Sequence, residues 1–268
     1  GNGTNFVTAD GVTATYSRAA GESVPGGPYH ITATLSPASV LSNYSITNLG
    51  ASFTINKAQL SLTADNKAMV LHASLPTFTA SFAGFKFTDT SSTVSGTPSL
   101  TSTATSASPV GTYTIVAGPG SLASDNYYFV FHNGTLTIQY AQGGMCAGDV
   151  GHAIRQPINP DGSSTFRLGS VVPTKFAVCD ANGNSIGTTG LVTGYGLVAM
   201  ASSTTVTVDE SAYSNTPDTA FRWDPTAMQW IFNQATKGNT SLNKSGVVYY
   251  FVINLNDGTS ISFAYALK

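Results

Sequence analysis

The stretch Tyr29-His-Ile-Thr-Ala-Thr-Leu-Ser-Pro37 is followed by Asn43-Tyr44-Ser-Ile46 and then by Phe53-Thr-Ile55-Asn-Lys-Ala58. The same succession returns as Tyr113-Thr-Ile-Val-Ala-Gly-Pro119, Asn126-Tyr127-Tyr-Phe129 and Leu136-Thr-Ile138-Gln-Tyr-Ala141. The first tyrosines lie 84 residues apart, and Asn43 and Asn126, Ile55 and Ile138, and Ala58 and Ala141 each lie 83 apart. One structural unit of about 83 residues therefore occurs twice, and self-similarity at a fixed period marks an array of modules. Arrays span, space and assemble; chemistry needs groups that converge.

Both copies carry the two-residue alternation of half-buried strands. In the first it runs through Val12-Thr-Ala-Thr-Tyr16, Tyr29 to Leu35 and Ala51 to Ile55, with Pro25-Gly-Gly-Pro28 as the turn between the first two. At the junction Phe53 and Ile55 lead to Leu60 and Leu62 across only Asn56-Lys-Ala-Gln59, so the last strand of one copy is expected to run almost directly into the next. Such a joint is stiffer than a Gly/Ser linker. The second copy adds Thr77–Phe82, Leu100–Thr103, Thr112–Val116, Tyr127–Phe131 and Thr135–Ile138. Asn133-Gly134 between the last two predicts a hairpin. If residues 58–141 are one full unit, the first copy lacks the counterpart of residues 58–84, which leaves two readings: a piece of a longer array, or a module completed from outside.

Charged residues make up 9 % of the chain, against about 25 % in an average soluble domain. Ser and Thr supply the polar surface, and a 41 % hydrophobic content with 14 Phe and 12 Tyr supplies ample core. Net charge is −2, and the 11 Lys and Arg are scattered singly. Nucleic acid and anionic membrane surfaces need clustered cations, so neither is an expected partner. The longest apolar run, Val247-Val-Tyr-Tyr-Phe-Val-Ile253, is far short of the roughly 20 residues of a spanning helix and reads as a buried strand.

From Gly143-Gly144 onward a different module begins, with turns at Asn159-Pro-Asp-Gly162, Asp180-Ala-Asn-Gly183, Asp224-Pro225 and Asn256-Asp-Gly258. Strands between them, such as Val171–Val178, Gln229–Phe232, Val247–Leu255 and Ser260–Leu267, fit the spacing of a β-sandwich. The expected fold class is all-β, three sandwiches in a row with the first incomplete, divided at 1–57, 58–141 and 142–268. Cys146 and Cys179 have two readings, free thiols in a reducing compartment or a disulfide. The Ser/Thr-rich, Lys-poor composition favours the disulfide and an oxidising compartment. Closing a loop of about 30 residues stabilises by roughly 3–4 kcal/mol on the chain-entropy account.

Residues 1–140 resemble the MBG family, mostly bacterial immunoglobulin-like repeats of large surface and secreted proteins. The matching runs are Ser-Asn43-Tyr-Ser-Ile, Phe53-Thr-Ile-Asn-Lys-Ala, Thr63-Ala-Asp-Asn-Lys67, Pro76-Thr-Phe-Thr-Ala-Ser-Phe82, Gly96-Thr-Pro-Ser-Leu100 and Pro109-Val-Gly-Thr-Tyr-Thr-Ile115. From about residue 140 the chain resembles a C-terminal PxKF-type domain through Cys146, Gly151-His152, Pro157-Ile158, Pro173-Thr-Lys-Phe176, Cys179-Asp-Ala-Asn-Gly183, Gln229-Trp-Ile-Phe-Asn233 and Leu267-Lys268. The resemblance implies immunoglobulin-like modules, bacterial origin, export, a non-catalytic extracellular role and Lys268 as a natural C-terminus. The chain departs from the family pattern at Leu71-His72, where copies carry Tyr-Gly soon after Asp-Asn-Lys, so the family's turn geometry is not carried over there.

Candidate chemistry is sparse. Gly183-Asn-Ser185-Ile-Gly187 matches a nucleophile elbow, but it follows a turn and precedes a strand-like stretch, where that motif needs a strand turning into a helix. His30, His72, His132 and His152 are spread over three modules, leaving Ser185 without an evident base. Asp180-Ala-Asn182-Gly-Asn184 opens like a calcium loop but lacks its sixth-position glycine and closing glutamate, so it reads as a turn. Asp209-Glu210 is the one adjacent acidic pair, and strand neighbours point to opposite faces. Trp223 and Trp230, with Tyr195 and Tyr213, are candidates for a sugar-stacking platform, with core packing as the competing reading. Lys175, on the strand face of Cys179, is a candidate for an isopeptide bond, with a snorkelling lysine as the competing reading.

The expectation is thus a non-catalytic, secreted structural protein of a bacterial surface adhesin, stalk or filament, with no cofactor and no metal. Its expected partner is itself or its array neighbours, polymerising by β-strand addition. The alternative is a binding module for carbohydrate or another cell-surface ligand. Five Asn-X-Ser/Thr sequons, at Asn2, Asn43, Asn133, Asn239 and Asn243, are expected in a chain this rich in Ser and Thr.

Overall fold

The computed structural model describes residues 6–202 and 216–268. The fold is all-β; among the described residues the helical content is one α-turn, Ala38–Leu41, and two 3-10 turns, Thr8–Asp10 and Ser91–Thr93. By packing, the chain divides into two compact units. One gathers residues 1–63, 80–99 and 117–132, and the other 64–79, 100–116 and 133–268.

Each repeat presents the same antiparallel core. In the first copy, β1 (Thr13–Arg18), β2 (Tyr29–Ser36) and β3 (Ala51–Phe53) form a sheet in the order β1-β2-β3. Tyr29 sits opposite Phe53 and Ile31 opposite Ala51. The second copy comprises β4 (Ala58–Ala64), β5 (Lys67–Val70), β6 (Ala80–Ala83), β7 (Ser99–Thr101), β8 (Gly111–Gly118), β9 (Tyr127–His132) and β10 (Gly134–Gln139). Here β8 and β10 pair so that Tyr113 faces Leu136 and Ile115 faces Gly134, which is the first copy's register shifted by the repeat. The strand order β5-β10-β8-β7 adds β5 on the far side of β10, and a second sheet runs β6-β4-β9.

The expected hairpin at Asn133-Gly134 does not form: β9 and β10 belong to different sheets, and the chain changes sheet at that dipeptide. The glycine serves close approach rather than a left-handed turn. A Cβ at Gly134 would lie 2.5 Å from the Ala64 carbonyl oxygen, while the Asn66 Oδ1 accepts the Thr135 N–H at 2.8 Å. Local dipeptide chemistry gives way to long-range pairing, because β9 and β10 each find a parallel partner some 70 residues upstream.

The remaining residues form β11 (Met145–Cys146), β12 (Asp149–Val150), β13 (Ala153–Arg155), β14 (Thr165–Phe166), β15 (Val171–Ala177), β16 (Val192–Ser202), β17 (Arg222–Asp224), β18 (Gln229–Ala235), β19 (Val247–Leu255) and β20 (Ser260–Leu267). A hairpin β11-β12 accompanies two four-stranded sheets, β13-β15-β18-β17 and β14-β20-β19-β16. Aromatic rings join the two sheets: Tyr195 on β16 meets Phe232 on β18 at 5.1 Å between centroids and Phe251 on β19 at 5.8 Å. Edge-to-face and offset contacts of this kind add to the burial of large apolar rings. The apolar run from Val247 is the central strand β19, paired on both sides as its composition requires.

Candidate functional site

The first two strands of the second repeat lie parallel beside its last two, β4 with β9 and β5 with β10. Ala58 to Thr63 on β4 stand opposite Tyr127 to His132 on β9, and Lys67 to Val70 on β5 stand opposite Leu136 to Gln139 on β10. Both pairings are offset by 69 residues, so the two chain segments keep one register through their change of sheet. Tension entering at Ala58 and leaving beyond Gln139 acts along these strands in opposite directions. It loads the ladder bonds of the pair together in shear, where a hairpin pulled from its open end loses them one at a time.

Beyond β10 the chain is locked to the C-terminal sandwich rather than tethered to it. The Tyr140 N–H donates to Asp257 Oδ2 at 2.9 Å and the Tyr140 hydroxyl to Asn256 Oδ1 at 2.9 Å. Burial, reinforced by the negative charge of Asp257, pushes that hydroxyl up to about 12. The Ala141 N–H donates to the Cys179 carbonyl at 2.9 Å, and the Ala181 N–H to the Leu71 carbonyl at 2.9 Å. His72 completes this lock: its Nδ1 lies 2.9 Å from Asp180 Oδ2. His72 adopts φ +65°, a left-handed conformation that favours glycine. His72 thus stands in a conformation that glycine would hold without strain and adds a side chain that reaches Asp180.

Asp180 is almost fully buried and its carboxylate is consumed by protein donors: His72, the N–H groups of Asn182 and Asn184, and the Asn184 carboxamide. Burial alone raises an acid's pKa, but here the donors, His72 foremost, outweigh it and hold Asp180 at about 2. The calcium-like loop is therefore an Asx turn serving the joint, and among the described residues no group of three acidic, histidine or cysteine side chains converges. Beside it, Cys146 and Cys179 form a disulfide with Cα atoms 5.6 Å apart. The buried Arg155 guanidinium donates to the Cys146 carbonyl.

The sugar-platform candidates meet in one place. Trp223, Trp230 and Tyr195, with Phe221, Phe232 and Arg222, line a cavity of about 540 Å³. The Trp223 and Trp230 rings stand 5.7 Å apart at 55°. Trp230 is only 6 % exposed and its Nε1 donates to the Ile186 carbonyl at 2.9 Å, so it belongs to the core. Trp223 is half-buried, and a Cβ at Gly187 would fall 2.3 Å from its ring, so the Gly187 backbone covers one indole face. The Tyr195 hydroxyl is buried beside Thr174 without a hydrogen bond of normal geometry, and burial pushes its pKa up. Arg222 pairs with Asp218 at 3.4 Å.

The other candidates stay apart. The Ser185 hydroxyl donates to the Met228 carbonyl at 2.8 Å, while His152 Nε2 lies 3.3 Å from the Ser260 carbonyl. Of the strand-like stretch after Ser185, Thr189-Gly190 is a turn and only Val192-Thr193 belong to a strand, the start of β16. Lys175 lies half-buried on β15 opposite Arg155 and Ile231. Asp209-Glu210, Tyr213 and the sequon at Asn2 lie outside the described residues. Among the described residues no helix is long and apolar enough to cross a membrane.

One constellation is hidden in the sequence. The Tyr44 hydroxyl accepts the Val7 N–H and donates to Asp10, while the Tyr127 hydroxyl accepts the Lys86 N–H and donates to Asp89. The tyrosines are 83 apart, yet their partners are 79 apart, and that slip of four residues hides the shared motif from a fixed-offset comparison.

Residues 60–137 match the family described as MBG domain (YGX type). A comparison with curated proteins finds no match. Among solved structures, the chain is similar to the Bacteroides ovatus mixed-linkage glucan utilization locus protein SGBP-B in complex with a mixed-linkage heptasaccharide, at 8 % identity and a TM-score of 0.22, covering 96 % of this chain and 60 % of that one. It is also similar to protocadherin gammaB7 EC3-6, at 11 % identity and a TM-score of 0.22, covering 95 % and 68 %. A third likeness is to Drosophila N-cadherin EC1-3, at 9 % identity and a TM-score of 0.22, covering 90 % and 76 %. The chain spans less than two thirds of the first of these, and scores this low carry no functional argument.

Proposed function

We propose that this chain is a non-catalytic, load-bearing section of an extracellular bacterial protein, an adhesin, stalk or filament. It is built of consecutive modules at 1–57, 58–141 and 142–268, the last of PxKF type. The carrying observation is the parallel pairing of the second repeat's first two strands with its last two, β4 with β9 and β5 with β10, which sets their hydrogen bonds across the line of tension. The hydrogen-bonded joint through His72, Tyr140 and Asp180 supports the same reading, since it passes load between elements without a compliant linker. The disulfide fits an oxidising compartment. Pulling single molecules of the full chain from its two ends tests the reading, which requires residues 58–141 to unfold as a high-force step.

The aromatic cavity supports a second reading, binding of a surface glycan beside Trp223. Trp223→Ala is the discriminating variant, because Trp230→Ala removes a buried, hydrogen-bonded ring and destabilises the fold. A glycan screen in which the parent chain binds and the folded Trp223→Ala variant does not is the required result; a parent chain that binds no glycan ends this reading.

A further inference from the structure

In the first repeat the turn at residues 21–27 is wrapped around one side chain. The Tyr29 hydroxyl accepts the Ser23 N–H at 3.0 Å and donates to the Ser23 carbonyl at 2.6 Å, and the residue is 3 % exposed. Two glycines permit the close approach: a Cβ at Gly21 would lie 2.4 Å from the Tyr29 ring, and one at Gly26 would lie 2.6 Å from its hydroxyl. The second repeat shows no such wrapping. There Tyr113 is half-buried, and its hydroxyl donates to the Pro109 carbonyl at 2.8 Å. The first turn is therefore held more firmly than closing its own hairpin requires.

What that turn meets is Asn126. Its Oδ1 accepts the Val24 N–H at 3.0 Å, while its backbone carbonyl accepts the Ala58 N–H at 2.9 Å. One residue thus holds the first repeat's turn with its side chain and the head of β4 with its backbone. Beside it, Lys57 Nζ donates to the Ser124 carbonyl at 2.7 Å, and the hydroxyl of the buried Tyr127 is fixed between the Lys86 N–H and Asp89. The crevice left among Val24, Ile55, Asn56 and Asn126 holds about 60 Å³. A single covalent connection between two modules leaves bending and twisting free; a second attachment away from it removes both. We infer that Asn126 is the positioning residue that fixes the first repeat against the head of the β4–β9 ladder, so that the two move as one body. Tension then reaches β4 along the strand rather than at a swinging angle. The inference rests on the load-bearing reading and adds the contact that sets the direction of pull.

The test is a distance measured on the full chain without force. Nitroxide labels at Thr34→Cys on β2 and Ala83→Cys on β6, both exposed positions, report the spread of distances between the first repeat and the β6-β4-β9 sheet, with the native disulfide left oxidised. With Asn126 in place the distribution is single and narrow. Asn126→Leu keeps the bulk and the backbone carbonyl but removes the acceptor. It at least doubles the width and speeds hydrogen exchange at Val24 at least tenfold, while exchange across residues 60–63 is unchanged. Asn126→Asp, which keeps an acceptor oxygen, returns both readings to those of the parent. Tyr29→Phe releases the turn from its other side and widens the distribution with Asn126 intact, which keeps the test decisive if the leucine variant misfolds. A broad distribution in the parent chain overturns the inference. So does a leucine variant as narrow as the parent, and so does an aspartate variant as broad as the leucine one. Each of these results leaves the β4–β9 pair free to bear load, and a weak β4–β9 pair leaves Asn126 free to hold the joint, so the two claims fail separately.

Discussion

His72 Nδ1 and Asp180 Oδ2 lie 2.9 Å apart, joining the end of β5 in the second repeat to the turn that follows the disulfide in the C-terminal sandwich. A residue in a left-handed conformation holds a buried carboxylate, and the flanking Leu71 carbonyl accepts the Ala181 N–H. Side chain and backbone thus close the same joint.

Replacing His72 separates its two roles. His72→Ala keeps the unfavourable φ and loses the partner of Asp180, and is expected to cost about 1–2 kcal/mol in chemical denaturation. His72→Gly relieves the backbone and stays within about 1 kcal/mol of the parent. Both variants speed hydrogen exchange at Ala181. Equal stability losses for alanine and glycine contradict this account.

Acid opens the joint. Asp180 titrates at about 2 in the folded chain, against about 3.9 for an unfolded aspartate. Its folded pKa is depressed, so its contribution is full above pH ~4 and is lost as pH falls from there through about 2. Stability measured from pH 5 down to 2 should fall more steeply for the parent than for Asp180→Asn. Parallel curves would show that Asp180 carries no linkage.

The disulfide closes a loop with its cysteines 33 apart in sequence. Cys146→Ser with Cys179→Ser is expected to cost roughly 3–4 kcal/mol on the chain-entropy account. Denaturation of the double variant beside the oxidised parent measures it.

Gly134→Ala places a methyl against the Ala64 carbonyl and should destabilise by about 1–3 kcal/mol. Gly143→Ala, where a Cβ meets nothing within 4 Å, serves as the neutral control in the same thermal melt.

Much of the fold is legible in the sequence because its signals are local and periodic. The Tyr29 and Tyr113 stretches fix equivalent strands, and the structure places them in one register. The run from Val247 reads directly as a central strand. What escapes is long-range. Asn133-Gly134 has the composition of a tight turn, but β4 and β5 some 70 residues upstream decide where β9 and β10 go. Asp180 reads as a turn residue, which it is, while its partner His72 lies 108 positions away, beyond any spacing rule. Trp223, Trp230 and Tyr195 stand out in the sequence by residue type alone; the structure brings them to one cavity but spends Trp230 on the core.

The most direct test of the load-bearing claim is single-molecule force spectroscopy on the full chain held at its two ends. The account predicts that unfolding of residues 58–141, recognised by a length gain of roughly 29 nm at about 3.5 Å per residue, is a high-force event. Ala58→Pro, which removes the N–H that donates to the Asn126 carbonyl at the head of the β4–β9 ladder, should lower that force while leaving the other steps in place. A low-force step of that length in the parent chain, or one indifferent to Ala58→Pro, contradicts the claim that the parallel strands bear the load.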